Sequence, residues 1–376
     1  MNIQIASSSK PSPRHAVHEL REQLRGIDPQ LLVFFASSRY APAELARDMK
    51  DAFPRAAVMG CTTAGEIISG KMLNHSVVGM AMDGRIVQDA SIEVLHGLKE
   101  DCSGAVTRAF SNFERHFGTP MRDLDFSQYV GLVLADGLSG MEERLMDRLG
   151  DLTNLRFVGG SAGDDLAFKQ THVFAEGKAY ADAAILCVLK PAVAFDVLKT
   201  QSFRILDKHL VATKVDEANR QVFEFNHEPA VQAYAKAVGI EPSKIAEAFM
   251  SFPLGLIVDG EPYVRSPQRQ DGSSLRCYCN VVEGAELSLL ESSDIVHDTQ
   301  QALAQKQKDF GPISGIINFH CILRTLALQK SGQLDAYGKL FERIPTIGFS
   351  TYGEQYLGHV NQTSTMLLLG EPGPEQ

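Results

Sequence analysis

The sequence has no apolar stretch of about 18 residues, the length that a membrane-crossing helix needs. The longest candidate, residues 183–198, is broken by Lys190, Pro191 and Asp196, so no membrane span is expected. The first 21 residues lack a continuous apolar segment and carry Lys10, Pro11, Pro13 and Arg14. A secretory signal is therefore not expected, and the expected location is cytoplasmic. Clustered Lys and Arg are also missing, and the net charge is −10. That argues against nucleic acid, whose binding relies on basic clusters that displace counterions from phosphate. Cysteine is sparse: Cys61, Cys102, Cys187, Cys277, Cys279 and Cys321 are scattered and expected to be reduced. Cys277-Tyr278-Cys279 would point two thiols to one face of a strand. Without a second Cys/His pair nearby it reads as a buried strand rather than a zinc site. No G-x-S-x-G elbow, P-loop or H-E-x-x-H motif occurs. Glu66, Asp164, Asp165 and Glu354 could serve as acid-base carboxylates, and Ser350 or Cys321 with His320 as nucleophile and base. No motif organises either set, so a non-enzymatic protein is expected.

What is present describes a globular protein: 376 residues, 44% hydrophobic and 22% charged. The length predicts two domains. One phrase, Ser/Thr-x-Gly-Asp/Glu after an apolar run, is written three times: Thr63-Ala64-Gly65-Glu66, Ser161-Ala162-Gly163-Asp164 and Thr351-Tyr352-Gly353-Glu354. Each follows an apolar strand-like run and a helical stripe. The runs are residues 31–35, 130–134 and 315–319. The stripes are Leu45, Met49 and Phe53; then Met141, Leu145, Leu149 and Leu152; then Leu334, Tyr337, Leu340 and Phe341. Phe35 precedes Thr63 by 28 positions, Leu134 precedes Ser161 by 27, and Phe319 precedes Thr351 by 32.

That recurrence predicts repeated strand-helix-strand units with parallel strands, an internal duplication, in an α/β fold of mixed sheets. The turns are expected at the sheet edge where α/β proteins bind ligands, although each could equally be a glycine turn with a capping hydroxyl or acid. Between the second and third units the pattern changes to alternating strands, among them Leu254 to Val258 with an Asp259-Gly260 hairpin turn, interrupted by a helix over residues 229–238. The expected boundary divides the chain into residues 1–225 and 226–370.

Several of these segments, in this order, resemble the FIST sensory domain family. The N-terminal segment is similar in Leu31 to Phe35, Val58 to Ile67, Ser76 to Val78 and Phe157 to Asp165. The C-terminal segment is similar in Asn226 to Ala230, Phe252 to Gly255, Tyr263 to Arg265, Gly348 to Glu354 and Asn361 to Thr363. The resemblance implies a two-domain FIST architecture, an N-terminal domain over 1–225 and a C-terminal domain over 226–370, working as an intracellular ligand sensor. Its implied partners are a histidine kinase of a two-component system or a cyclic-di-GMP-metabolising protein, in pathways such as biofilm control, with a homodimer as the candidate assembly.

Asn318 to Arg324 and Gly358 to Thr363 resemble the branch of the family that binds haem b and responds to nitric oxide. That branch implies His320 and His359 as iron ligands, with Arg324, Cys321, Tyr352, Glu354 and Asn361 around the cofactor. His320 ends an apolar run, and His359 follows Glu354 by five positions, so both are expected to face one cavity. An arginine there would pair with a propionate or another carboxylate. The alternative within the family is a haem-free sensor of an amino acid or another small polar metabolite.

Overall fold

The computed structural model describes residues 2–373. It contains the same unit three times. The first unit runs β1 (Ile3–Ser8), α1 (Pro13–Gln23), β2 (Leu31–Ser37), α2 (Pro42–Ala52), β3 (Ala57–Thr63), a hairpin of β4 (Glu66–Ile68) and β5 (Lys71–Leu73), and β6 (Val77–Met82). The second runs β7 (Val87–His96), α3 (Leu98–Phe117), β8 (Val130–Ala135), α4 (Glu142–Leu152), β9 (Phe157–Ser161), a hairpin of β10 (Val173–Ala175) and β11 (Lys178–Tyr180), and β12 (Ala183–Pro191).

The third unit begins with β13 (Phe195–Gln201) and is interrupted by an insert. It resumes with α7 (Ile295–Phe310), β22 (Ile313–Cys321), α8 (Ile322–Ser331), α9 (Leu334–Lys339), β23 (Thr346–Thr351), a hairpin of β24 (Glu354–Tyr356) and β25 (His359–Val360), and β26 (Thr363–Gly370). The insert is an eight-stranded sheet. Its elements are β14 (Phe203–Asp216), β15 (Gln221–Phe225), β16 (Glu228–Pro229), α5 (Ala230–Val238), α6 (Ile245–Ala248), β17 (Leu254–Val258), β18 (Glu261–Arg265), β19 (Pro267–Asp271), β20 (Ser274–Cys277) and β21 (Glu286–Ser292).

Within each unit the two strands joined by a helical crossover are parallel: β2 with β3, β8 with β9, and β22 with β23. Continuous buried apolar runs such as Leu31–Ser37 fit strands covered on both faces. Proline opens α1 and α2, where its missing N–H costs nothing. The Asp259-Gly260 hairpin joins β17 to β18 with positive φ at both residues, 51° and 80°, as a two-residue hairpin turn requires.

The hairpins are exchanged in a ring. The β4–β5 hairpin of the first unit extends the third unit's sheet on β23. The third unit's β24–β25 hairpin extends the second sheet on β9, and the second unit's β10–β11 hairpin extends the first on β3. Two of these three sheets therefore combine strands from both sides of residue 225, as does the sheet of the insert, in which β14 and β15 end by that position. The inner faces of the three sheets share one core, in which Phe35 lies 4.5 Å from Phe349 and 6.2 Å from Phe319 between ring centroids. Each outer face packs under its own helices.

The strand register also aligns the three turns. Gly60, Gly159 and Gly348 pair with Phe34, Val133 and Asn318 on the parallel neighbours. Counted from those glycines, Thr63-Ala64-Gly65-Glu66 matches Thr351-Tyr352-Gly353-Glu354 and also Ala162-Gly163-Asp164-Asp165. The second copy is thus displaced by one residue from the sequence phrase. The hydrogen bonds agree: Ala64 N donates to Ser350 O at 3.1 Å, Tyr352 N to Ser161 O at 3.1 Å, and Gly163 N to Thr62 O at 2.9 Å. These are three equivalent bonds around a threefold pseudo-axis. The turns are buried and bonded to one another, so most of their polar groups are spent at this junction. No helix among the described residues is long and apolar enough to cross a membrane.

Candidate functional site

The three units act as internal controls for one another. On the outer face of the third unit's sheet lies His320, four residues before Arg324 of the crossover helix; the strand register places Ala36 and Ala135 at the same position in the other two units. Those alanines lie in apolar helix-covered cores. The third unit is polar at the same depth. Asn318, which replaces Phe34 and Val133, donates to the Tyr337 hydroxyl at 3.3 Å and accepts from Ser364 Oγ at 2.7 Å. Tyr337 in turn donates to Ser364 Oγ at 3.3 Å, which closes a buried triangle.

His320 is fully buried, and neither ring nitrogen has a hydrogen-bond partner. Its ring lies 4.5 Å from that of Tyr337. Burial and, next, the neighbouring Arg324 guanidinium hold its pKa well below the usual histidine value, so the imidazole is neutral. Arg324 is itself 2% exposed. It donates to Ser202 Oγ at 3.3 Å and to Thr299 Oγ1 at 3.0 Å, while its Nε has no partner. Among the described residues no carboxylate pairs with it. Two unsatisfied cationic or aromatic nitrogen groups at one buried place are costly unless something else meets them.

Arg324 forms part of the wall of a cavity of about 610 Å³, a size ordinary for small-molecule sites. The cavity lies at the neck of the insert, where Ser202 leaves the third unit and Ser293 returns to it, joined by a 2.9 Å bond from Ser293 N to Ser202 O. Ser251, Ser292 and Lys330 also line it, against one acid, Glu247. The His320 ring borders Arg324 without lining the cavity.

The other residues singled out in the sequence lie elsewhere. His359, on β25, is 4% exposed; its Nδ1 is 3.2 Å from Gln355 Nε2, and its Nε2 has no partner. Its ring presses on Gly353, where a Cβ would sit 2.1 Å from Cε1. Burial lowers its pKa, and Glu142 and Glu143 oppose that. His320 and His359 therefore do not face one cavity: the first lies under the helices of the third unit, the second beside α4 and the insert. Cys321 is buried at the start of α8, with its thiol held protonated by burial. Tyr352 donates to Asp164 Oδ1 at 2.6 Å and accepts from Leu166 N at 3.0 Å. Glu354 accepts from Thr351 and Thr363, and Asn361 is 1% exposed with an unpartnered Oδ1. Cys277 and Cys279 are buried, with thiols pushed up by burial.

Among the described residues no group of three or more His, Cys, Asp or Glu side chains is placed to hold a metal ion. A haem needs a single protein imidazole and a partner for its propionates. The His320–Arg324 pair has that donor set, with orphaned nitrogens on both side chains. His359, wedged against Gly353 and bonded to Gln355, fits it less well. Sequence reading missed Tyr337, Thr299, Ser202 and Lys330 as members of this environment. Alignment of the three strand runs would have exposed the anomaly, because a histidine falls where the other two copies have alanine.

Two family models match the chain. The FIST N domain matches residues 30–228 and the FIST C domain matches residues 230–357. An uncharacterized protein of Methanocaldococcus jannaschii is 22% identical over 296 residues, covering 73% of this chain and 57% of that protein. The chain thus spans little more than half the length of this relative.

Proposed function

The chain belongs to the FIST family, whose domains are sensory small-ligand-binding modules of signalling proteins, and from that premise we propose that it is a non-enzymatic, haem-based nitric-oxide sensor. In this reading a cytoplasmic protein passes its state to a separate histidine kinase or cyclic-di-GMP-metabolising protein. The observation that carries it is the buried, neutral and unpartnered imidazole of His320 beside an arginine without a counter-ion. His320 would hold the haem iron and Arg324 would pair with a propionate. Bound haem would supply the iron at which nitric oxide binds. The protein's own part is to keep the imidazole unprotonated, to hold its ring against Tyr337, and to offer guanidinium N–H groups to a carboxylate.

One observation favours a second reading within the same family. The cavity beside Arg324 sets Ser202, Ser251, Ser292, Ser293 and Ser331 among apolar residues such as Phe203, Met250 and Ile295, and those hydroxyls suit a small polar carboxylate, such as an amino acid, without haem. Absorption spectroscopy separates the two. Protein reconstituted with haem should show a Soret band that shifts on addition of nitric oxide, and His320→Ala should lose it. A protein that refuses haem but binds small carboxylates through Arg324 in calorimetry would establish the second reading. Retention of haem by His320→Ala would overturn the assignment of the ligand.

A further inference from the structure

A separate cavity of about 420 Å³ lies between the insert and the junction of the three turns. It contains neither His320 nor Arg324. One wall is the opposite face of α8, where Ile322, Leu323 and Leu326 pack with Tyr278 and Tyr352. Opposite the apolar wall, Arg220, Arg269 and Arg276 come from the insert, against a single lining acid, Glu142. Arg220 is used structurally, bonded to Glu142 at 2.7 Å and Glu143 at 2.6 Å. Arg276 reaches Asp271 at 3.0 Å. Arg269 is exposed and has no acidic partner among the described residues.

The rim of this cavity is held in an unusual shape. Asp165, Leu166 and Phe168 all adopt left-handed backbone angles, with φ of 51°, 66° and 51°, which non-glycine residues adopt only where the surroundings enforce it. The enforcement is visible. Asp164 accepts from the backbone N–H groups of Phe168 at 2.8 Å, Lys169 at 2.6 Å and Gln170 at 2.9 Å, and Tyr352 holds Leu166 N. The result is that Phe168 stays 51% exposed and Leu166 40% exposed. The Phe168 ring stacks on Tyr352, 4.7 Å between centroids and 16° from parallel. Ordered apolar side chains left open at a strained rim mark a binding surface rather than a packing defect.

We propose that this cleft is a second ligand site, independent of the haem reading, that takes a small molecule with a flat apolar body and one anionic group. The apolar body lies between Phe168 and the α8 wall, and the anion meets Arg269 and Arg276. Such a ligand touches the second unit, the third unit and the insert at once.

The probe for this class is 8-anilinonaphthalene-1-sulfonate, with uncharged N-phenyl-1-naphthylamine as its comparison. Under native conditions the sulfonate should bind saturably at one site with blue-shifted emission, and the uncharged analogue at least about fivefold more weakly. Phe168→Ala and Arg269→Glu, both at exposed positions, should each weaken the sulfonate about tenfold while circular dichroism and the thermal midpoint remain unchanged. Lys330→Ala, in the other cavity, should leave its binding unchanged. Absence of saturable binding, equal binding of the two probes, or binding sensitive to Lys330→Ala and indifferent to Phe168→Ala and Arg269→Glu would each overturn the proposal.

Discussion

Glu66 and Glu354 occupy the same place in two different units. Glu66 accepts from Thr63 Oγ1 and from Ser76, whose amide is at 3.0 Å and hydroxyl at 2.6 Å. Glu354 accepts from Thr351 Oγ1 at 2.5 Å and from Thr363, whose amide is at 3.1 Å and hydroxyl at 2.7 Å. The corresponding Asp165 of the second unit instead accepts from the Ser37 and Ser38 hydroxyls of the first, at 2.8 and 2.7 Å. The acid of each turn therefore fixes either its own hairpin or a neighbouring unit.

Burial pushes both glutamates up to about 7, against hydrogen bonds that lower them. Because the folded pKa exceeds the unfolded one, these groups favour the fold when protonated. Their contribution is fully present below the unfolded value and is lost as pH rises through 7. The loss approaches about 3 kcal/mol per site. Glu66→Gln and Glu354→Gln imitate the protonated acid, so each variant should gain stability relative to the parent between about pH 5 and pH 8. Urea unfolding at both pH values tests this; a difference that does not change with pH means that the acids ionise normally.

Gly60, Gly159 and Gly348 are required for close approach rather than for backbone freedom. A Cβ at these positions would sit 2.1, 1.7 and 2.2 Å from the carbonyl oxygens of Phe34, Val133 and Asn318. Alanine at any of the three should destabilise by about 4 kcal/mol or more, or prevent soluble expression. Gly118→Ala, at φ 67° with open space around it, should cost only about 1 kcal/mol. Comparable losses at all four positions in denaturant titrations would refute the steric account.

Arg220 ties the insert to α4 through Glu142, 2% exposed in its side chain, and Glu143. Asn280 N adds a 2.9 Å bond to Glu143. Arg220→Ala leaves two carboxylates without their cation and should cost about 3 kcal/mol. Lysine should rescue little of it, since a point charge cannot replace the planar guanidinium. A full rescue by lysine in thermal unfolding would show that charge alone holds the insert.

Arg324→Met tests whether the buried guanidinium serves a ligand or the fold. With no carboxylate partner its desolvation is offset only by the bonds to Ser202 and Thr299, so methionine should leave the ligand-free protein as stable as before or stabilise it by about 1 kcal/mol. Haem or carboxylate affinity should fall at least tenfold. Strong destabilisation with unchanged affinity would make Arg324 a structural residue.

The sequence alone determined the features that depend on local pattern. Buried apolar runs followed by helical stripes at similar spacing specify strand-helix-strand units, and Asp259-Gly260 specifies its hairpin, because period and turn chemistry act within a few residues. Tertiary structure decided how the units meet. The hairpin exchange pairs Gly160 with Glu354, and Glu66 with Phe349, contacts across hundreds of residues that no local pattern encodes. The register of the second turn is visible only through the strand pairing, where Gly159 faces Val133 as Gly60 faces Phe34 and Gly348 faces Asn318; the identity of Ser161 does not reveal it. The same hairpin exchange separates His320 from His359: β22 stays in the third unit's sheet, whereas the β24–β25 hairpin carries His359 onto the second sheet. The three turns form the buried joint of the molecule, with Tyr352 of the third also edging the cleft beside the insert, and the orphaned nitrogens of His320 and Arg324 lie beneath the helices of the third unit.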